Sequence, residues 1–208
     1  MIMKKMLLGA GIACIAGATL MSCTSDKQEG GASSSADAVI ENIMTRMSVR
    51  KFTDRPVAKD TLDLLVKAGM AAPSARDVRP WSFVVVDDKA VLDSLNANHP
   101  YANLKTATAA IIVCGNTAED PKNGVNEYWV QDCSAATENI LLAAHAYGLG
   151  AVWCGVYPTQ ERIAPVKRIL SIPDSVTPLN IITLGYPDDP NAKVKDKYNP
   201  SQIHYNKY

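Results

Sequence analysis

Apolar residues along this 208-residue chain keep two rhythms. Spacings of three and four predict helices, and short apolar-rich runs of five or six predict buried strands. Asp37 is placed to cap a helix to about Met47, with Ile40, Ile43, Met44 and Met47 on one face. Lys59–Met70 predicts a second helix with Leu62, Leu65 and Val66 inward, and Lys89–Leu95 a third. Asp132–Tyr147 is the strongest helix, carried by Ala135, Ala136, Asn139, Leu142, Ala143 and Ala146 and ended by Gly148. Thr159 heads a last helix to Leu170. The runs Trp81–Val86, Ala109–Val113, Ala151–Val156 and Asn180–Leu184 predict strands. After Gly185 the chain is polar and extended to Tyr208. The result is a mixed α and β domain in which helices cover three or four buried strands. Regular strand–helix alternation and a G-x-G-x-x-G turn are both missing, so a dinucleotide-binding Rossmann domain is not expected.

The first residues follow a different pattern. Lys4 and Lys5 precede the apolar, small-residue run Leu7–Leu20, which is too short to span a bilayer comfortably. The run ends in Leu20-Met21-Ser22-Cys23, which resembles the lipobox of bacterial lipoproteins, with Met21 larger than usual at its position. Residues 1–22 then form a lipoprotein signal peptide and Cys23 carries the lipid. Residues 23–37, Gly/Ser-rich, form a flexible tether, and 38–208 form the domain. The expected location is a membrane of a bacterial cell envelope, reached by export. An ordinary signal peptide or a retained anchor is the alternative.

Composition narrows the function. Lys and Arg number 21 against 21 acids, so a general nucleic-acid surface is excluded. Removal of residues 1–22 leaves 186 of the 208 residues and 19 cations against 21 acids, a net charge of −2. Hydrophobic residues, 47% of the chain, suffice for a packed core. Cys14 leaves with the signal. Cys114, Cys133 and Cys154 lie in apolar stretches, form no CxxC pair, and are odd in number, which excludes a complete internal disulfide framework. They read as buried thiols, and no His/Cys spacing suggests zinc. A G-x-S-x-G motif, a P-loop and an EF-hand are absent from the sequence. His99 falls in a loop, His145 inside a helix and His204 in the tail, so a Cys–His pair could meet only through the fold.

Four pieces could carry chemistry. Arg46, Ser48 and Arg50 are spaced by two at a helix end, a spacing that puts them on one face of an extended segment. Charge, several donors and a hydroxyl suit a phosphate, although the stretch alone reads equally as a solvated basic run. Lys195 and Lys197 repeat the spacing far along the chain, where alone they are an ordinary charged tail. The loop Ala72-Pro73-Ser74-Ala75 leads through Asp77, Arg79 and Pro80 into Trp81. Gly148-Leu149-Gly150-Ala151-Val152-Trp153-Cys154-Gly155-Val156 combines a strand with glycines that permit close approach.

In this order and spacing, these pieces resemble the motifs of the FMN-dependent nitroreductase family, over Val39 to Tyr208. They match its R-x-S-x-R opening, its A-P-S-A-x-x-x-x-P-W loop, its G-L-G-x-x-W strand and its basic tail. Asp132, Ala136 and Asn139 fit the helix before the third motif. The resemblance implies an α+β fold, a three-layer α/β/α sandwich with a mostly antiparallel central sheet. It implies a homodimer with FMN at the subunit interface. Arg46, Ser48 and Arg50 would take the phosphate, ribityl chain and flavin edge, with Lys195 and Lys197 completing the phosphate clamp. Pro73, Ser74 and Ala75 of the partner would pack on the ring, and Cys154, Gly155 and Val156 would approach its other side by backbone.

The implied activity is hydride transfer from NAD(P)H, or another donor, through FMN to a nitroaromatic, quinone or similar acceptor. No protein acid or base is required. Tyr128 and Trp129 either line the acceptor slot or serve as core or interface aromatics. Asp77 and Arg79 depart from the Asn and Gln common in the family, and Met47 from a frequent Arg or His. Two rivals remain at this stage. One is a lipid-anchored binding protein of the same fold without catalysis. The other is a flavoenzyme of another reaction type, such as reductive dehalogenation or flavin reduction. Soluble NAD(P)H belongs to the cytoplasm and a lipoprotein does not, so the reductant, the reaction or the signal reading has to give.

Overall fold

The computed structural model describes residues 34–117, 127–189 and 191–208. The expected signal peptide, Cys23 and most of the expected tether lie outside the described residues.

Five α-helices and four strands are present among them: α1 (Ser35–Thr45), α2 (Lys59–Met70), β1 (Trp81–Val86), α3 (Lys89–Asn98), β2 (Ala109–Asn116), α4 (Trp129–Ala146), β3 (Gly150–Gly155), α5 (Gln160–Leu170) and β4 (Val176–Gly185). The sheet runs β1-β2-β4-β3, with every neighbouring pair antiparallel. β2 is central, and its alternation builds both sides of the core. Ala110, Ile112 and Cys114 join Leu92 and Leu95 of α3 and Ile163 and Val166 of α5. Ala109, Ile111 and Val113 join Leu62 and Leu65 of α2 and Cys133, Ile140 and Leu141 of α4. Helices therefore cover both faces of an antiparallel sheet, as expected for the three-layer sandwich.

Several boundaries differ from the sequence pattern, each for a local reason. α1 is capped by Ser34, whose Oγ accepts from the Asp37 N–H at 3.1 Å. The Asp37 carboxylate reaches back to the Ser34 N–H at 3.2 Å, so Asp37 closes a capping box instead of being the cap. The apolar face expected on α1 is not buried, since Ile40, Ile43 and Met44 all stand exposed. α1 is tied to α4 by polar contacts, among them Asn42 Nδ2 donating to the Leu142 carbonyl at 3.1 Å. α4 starts at Trp129, and its buried face is Cys133, Ala136, Thr137, Ile140, Leu141 and Ala144, one position out of phase with the alanine pattern. The large side chains set that phase. β4 begins at Val176, earlier than its apolar run, because Pro178 sits where the β2–β4 register shifts and no regular ladder bond is needed.

Two glycines let the segment after α1 lie directly on the sheet. A Cβ on Gly150 would stand 2.7 Å from Val49 Cβ, and one on Gly185 would stand 2.8 Å from Phe52 Cβ. The segment is pinned by Val49 N–H donating to the Ala151 carbonyl at 3.0 Å and Thr53 N–H to that of Tyr186 at 2.9 Å. Ser48 thus forms a parallel bridge to Ala151, beside an otherwise antiparallel sheet. No described helix is long and apolar enough to cross a membrane.

Candidate functional site

The pinned segment and the C-terminal tail meet in a basic cavity of about 230 Å³. Its lining is Met47, Ser48, Arg50, Lys193, Val194, Lys195 and Lys197. The tail is brought there by the Asp188 N–H donating to the Lys51 carbonyl at 3.2 Å. Four cations and one hydroxyl converge with no acid in the lining, although their stretches lie some 145 positions apart. Arg50 Nη1 lies 3.4 Å from the Ser48 carbonyl, at the outer edge of a hydrogen bond. Lys193, not among the residues expected from sequence, extends the spacing-by-two of Lys195 and Lys197 one step back, and that spacing is its signal in the sequence.

Arg46 is placed elsewhere. Its Nε lies 3.4 Å from Glu138 Oε1 on α4, and its side chain is only 18% exposed. It joins the end of α1 to α4 instead of lining the cavity. Beside it, Thr45 Oγ1 donates to the Glu41 carbonyl at 2.6 Å. That bond uses the hydroxyl proton, so His145 Nε2–H, 2.9 Å away, donates to the same oxygen. Burial and the neighbouring Arg46 charge hold the His145 pKa below its ordinary value.

The end of β3 supplies an opening. A Cβ on Gly155 would meet nothing within 4 Å, whereas Cys154 and Val156 on either side are buried. The Gly155 carbonyl accepts from His99 Nε2 at 3.0 Å and from Arg162 Nη1 at 3.2 Å. The Cys154 thiol donates inward to the Ala102 carbonyl at 3.2 Å. Burial raises its pKa, and pushes those of Cys114 and Cys133 up to about 12. These thiols are neutral core groups, and His99 is spent on a backbone carbonyl rather than on a thiol.

The loop Pro73–Ala75 stands at the head of α4. The Ala75 N–H donates to Asp132 Oδ1 at 2.9 Å, and the Arg79 N–H to Ser74 Oγ at 2.9 Å. Arg76, Asp77 and Arg79 all have positive φ, between 50° and 55°. Such a concentration of strained non-glycine residues is typical of a functional loop. Arg79 grips Asp77 with two bonds of 2.7 and 2.6 Å, which lowers the Asp77 pKa and raises that of Arg79. Among the described hydrogen bonds and ion pairs, none joins this loop to the basic cavity. Within one chain the structure therefore brings Ser48, Arg50, Lys195 and Lys197 together and leaves Pro73, Ser74 and Ala75 apart.

Tyr128 is about half exposed at the start of α4. Trp129 is 9% exposed, packs over Gly115 and meets Tyr157 edge-on, with ring centroids 4.8 Å apart. It is part of the core between the sheet and α4.

Comparison with known proteins gives concordant matches. A family model described as the nitroreductase family matches residues 43–99 and 96–186. A protein of Methanothermobacter thermautotrophicus, provisionally named NADH dehydrogenase/NAD(P)H nitroreductase, is 46% identical over 171 residues, 82% of this chain and 87% of that protein. A crystal structure from Parabacteroides distasonis with the same provisional name is 48% identical at a TM-score of 0.77, covering 82% of this chain and 99% of that one. An FMN-dependent nitroreductase from Clostridium difficile is 31% identical at a TM-score of 0.73, covering 81% of this chain and 99% of that one.

Proposed function

The chain belongs to the nitroreductase family, and from that premise we propose that it is an FMN-dependent oxidoreductase working as a homodimer. The observation that carries the cofactor assignment is the acid-free cavity where Ser48, Arg50, Lys193, Lys195 and Lys197 converge. A phosphate monoester, with three acceptor oxygens and nearly two charges, suits that donor set. Gly155 supports the other end, because the space above its α-carbon admits a flat ring.

When bound, FMN supplies hydride acceptance from a reduced nicotinamide or another donor, and two-electron donation to a nitroaromatic, quinone or similar acceptor. The chain's own residues bind and orient. Arg50 and the three lysines neutralise the phosphate, and Ser48 adds a hydroxyl donor. Gly155 offers backbone to one side of the ring. Pro73–Ala75, fixed by Asp132, reach the ring of the partner subunit's cofactor, which accounts for their separation from the basic cavity within one chain. No side chain here is required to give or take a proton.

The proposal extends to location. Acylated Cys23, exposed by removal of residues 1–22, tethers the domain to a bacterial envelope membrane. Cys23→Ala should release the protein from the membrane fraction, and unchanged fractionation would argue against acylation.

The central experiment is flavin content and anaerobic reduction of the purified domain. A yellow protein with near-stoichiometric FMN, bleached by NADH, NADPH or a quinol, is expected. Colourless protein that FMN does not reconstitute would sink the assignment.

A further inference from the structure

His99 is the buried titratable group that the site as described leaves unused. It is 2% exposed at the C-terminal end of α3. Its Nδ1 has no hydrogen-bond partner among the described residues. Its Nε2 lies 3.0 Å from the Gly155 carbonyl, which can only accept, so the ring proton is on Nε2. Nδ1 is then a buried acceptor with a bare lone pair, a cost that an apolar side chain of similar size would avoid. Among the described residues, the one polar contact this imidazole makes is with Gly155.

A second donor reaches the same oxygen from another helix. Arg162 of α5 donates from Nη1 at 3.2 Å, with its guanidinium 5.7 Å from the Tyr101 ring centroid. The far side of the same peptide is held by the Val156 N–H donating to the Leu179 carbonyl at 3.0 Å. A glycine at a strand end has no side chain to restrict its backbone, so these three bonds supply the restraint. They act where the α-carbon faces open space.

We propose that His99 and Arg162 are positioning residues that fix the Gly155 peptide as one wall of the slot for a planar redox ring, which rests on the flavin reading given above. Neither side chain touches the ring. Both act through a single carbonyl, approached from the side of the sheet that α3 and α5 cover. Losing either donor frees the Gly155 backbone and loosens the ring end of the cofactor, while the phosphate end keeps its cations.

The experiment compares His99→Ala, His99→Gln and Arg162→Ala in the dimeric protein, with FMN and riboflavin as probes. Arg162 is partly exposed, so its variant guards against a histidine variant that fails to fold. Affinity for both flavins should fall by a similar factor, about tenfold, in His99→Ala and Arg162→Ala, because riboflavin lacks only the phosphate end. The visible band and midpoint potential of the bound flavin should shift as well. His99→Gln, whose amide N–H can reach the same carbonyl, should recover both. Affinities within twofold of the unsubstituted protein, or lower thermal stability with unchanged spectrum and potential, would overturn the proposal. Failure of glutamine to recover more than alanine would also overturn it. If the unsubstituted protein binds neither flavin, the flavin reading falls and this inference with it. If it binds both and the variants match it, only the inference falls.

Discussion

The carboxylate of Asp132 accepts a hydrogen bond from the backbone N–H of Ala75 at 2.9 Å, joining the first turn of α4 to the strained loop before β1. Asp132 is 5% exposed. Asp132→Ala leaves a part-buried N–H without this charged acceptor, a loss of about 1–3 kcal/mol. For a domain of this size that is a fall in thermal midpoint of roughly 2–4 °C per kcal/mol. Asp132→Asn keeps an acceptor oxygen and should lose less. Thermal denaturation of the two variants checks this, and equal losses would show that the charge, not the acceptor, matters.

Arg46 and Arg50 look alike in sequence and differ in place. Arg50→Ala should weaken FMN binding by about tenfold or more, since a bond to a charged group contributes about 1.5–3 kcal/mol. Riboflavin binding should be unaffected. Arg46→Ala should leave FMN affinity unchanged and cost about 0.5–1 kcal/mol by breaking a partly exposed ion pair with Glu138. Equal loss of FMN in both variants would contradict the separation of the two arginines.

The contact between α1 and α4 should weaken in acid. Burial, and then Arg46, depress the His145 pKa below its ordinary value of 6.5. The unfolded chain therefore takes up the proton first as pH falls. Stability from the neutral ring is complete above about 6.5 and is lost as pH drops through the folded value. Thr45 on α1 is its hydrogen-bond partner, and the Arg46 charge beside it is engaged with Glu138 of α4. Thermal midpoints at pH 7.5 and 5.5 should differ more for the unsubstituted protein than for His145→Gln. An identical difference in the two would refute the assignment.

Much of this architecture was legible in sequence, and the exceptions share a cause. Buried strands such as the one over Ala109–Val113 are unbroken apolar runs, so their letters alone reveal them. Pro178 hid the first half of β4, because its tolerance depends on a register shift between strands. Charges spaced by two showed Arg50, Lys195 and Lys197. The same rule could not tell that Arg46 ends a helix and turns to Glu138. His99 was not legible, because its partner is a backbone carbonyl 56 positions away, which no side-chain motif records.

The three described cysteines should resist thiol reagents in the folded protein. With pKa values pushed to about 12, only about one thiol in ten thousand of Cys114 or Cys133 is ionised at pH 8. Cys154 is shifted the same way and donates to a buried carbonyl. In mature domain carrying Cys23→Ser, a chromogenic disulfide reagent should label nothing until denaturant is added, then three thiols. Rapid labelling of one thiol in the native state would reopen a reactive cysteine.

One substitution at three glycines should separate packing from ligand access. At Gly150 and Gly185 a methyl group would collide with Val49 and Phe52, whose segment is held to the sheet by the backbone bonds of Val49 and Thr53 and cannot retreat freely. Gly150→Ala and Gly185→Ala should each cost about 1–3 kcal/mol. At Gly155 the same methyl meets nothing within 4 Å, and φ there is not in the left-handed region. Gly155→Ala should leave the thermal midpoint of the flavin-free protein unchanged while sharply reducing flavin binding, because the methyl fills the space reserved for the ring. A Gly155→Ala protein that is fully stable and still binds FMN normally would mean that the ring lies elsewhere.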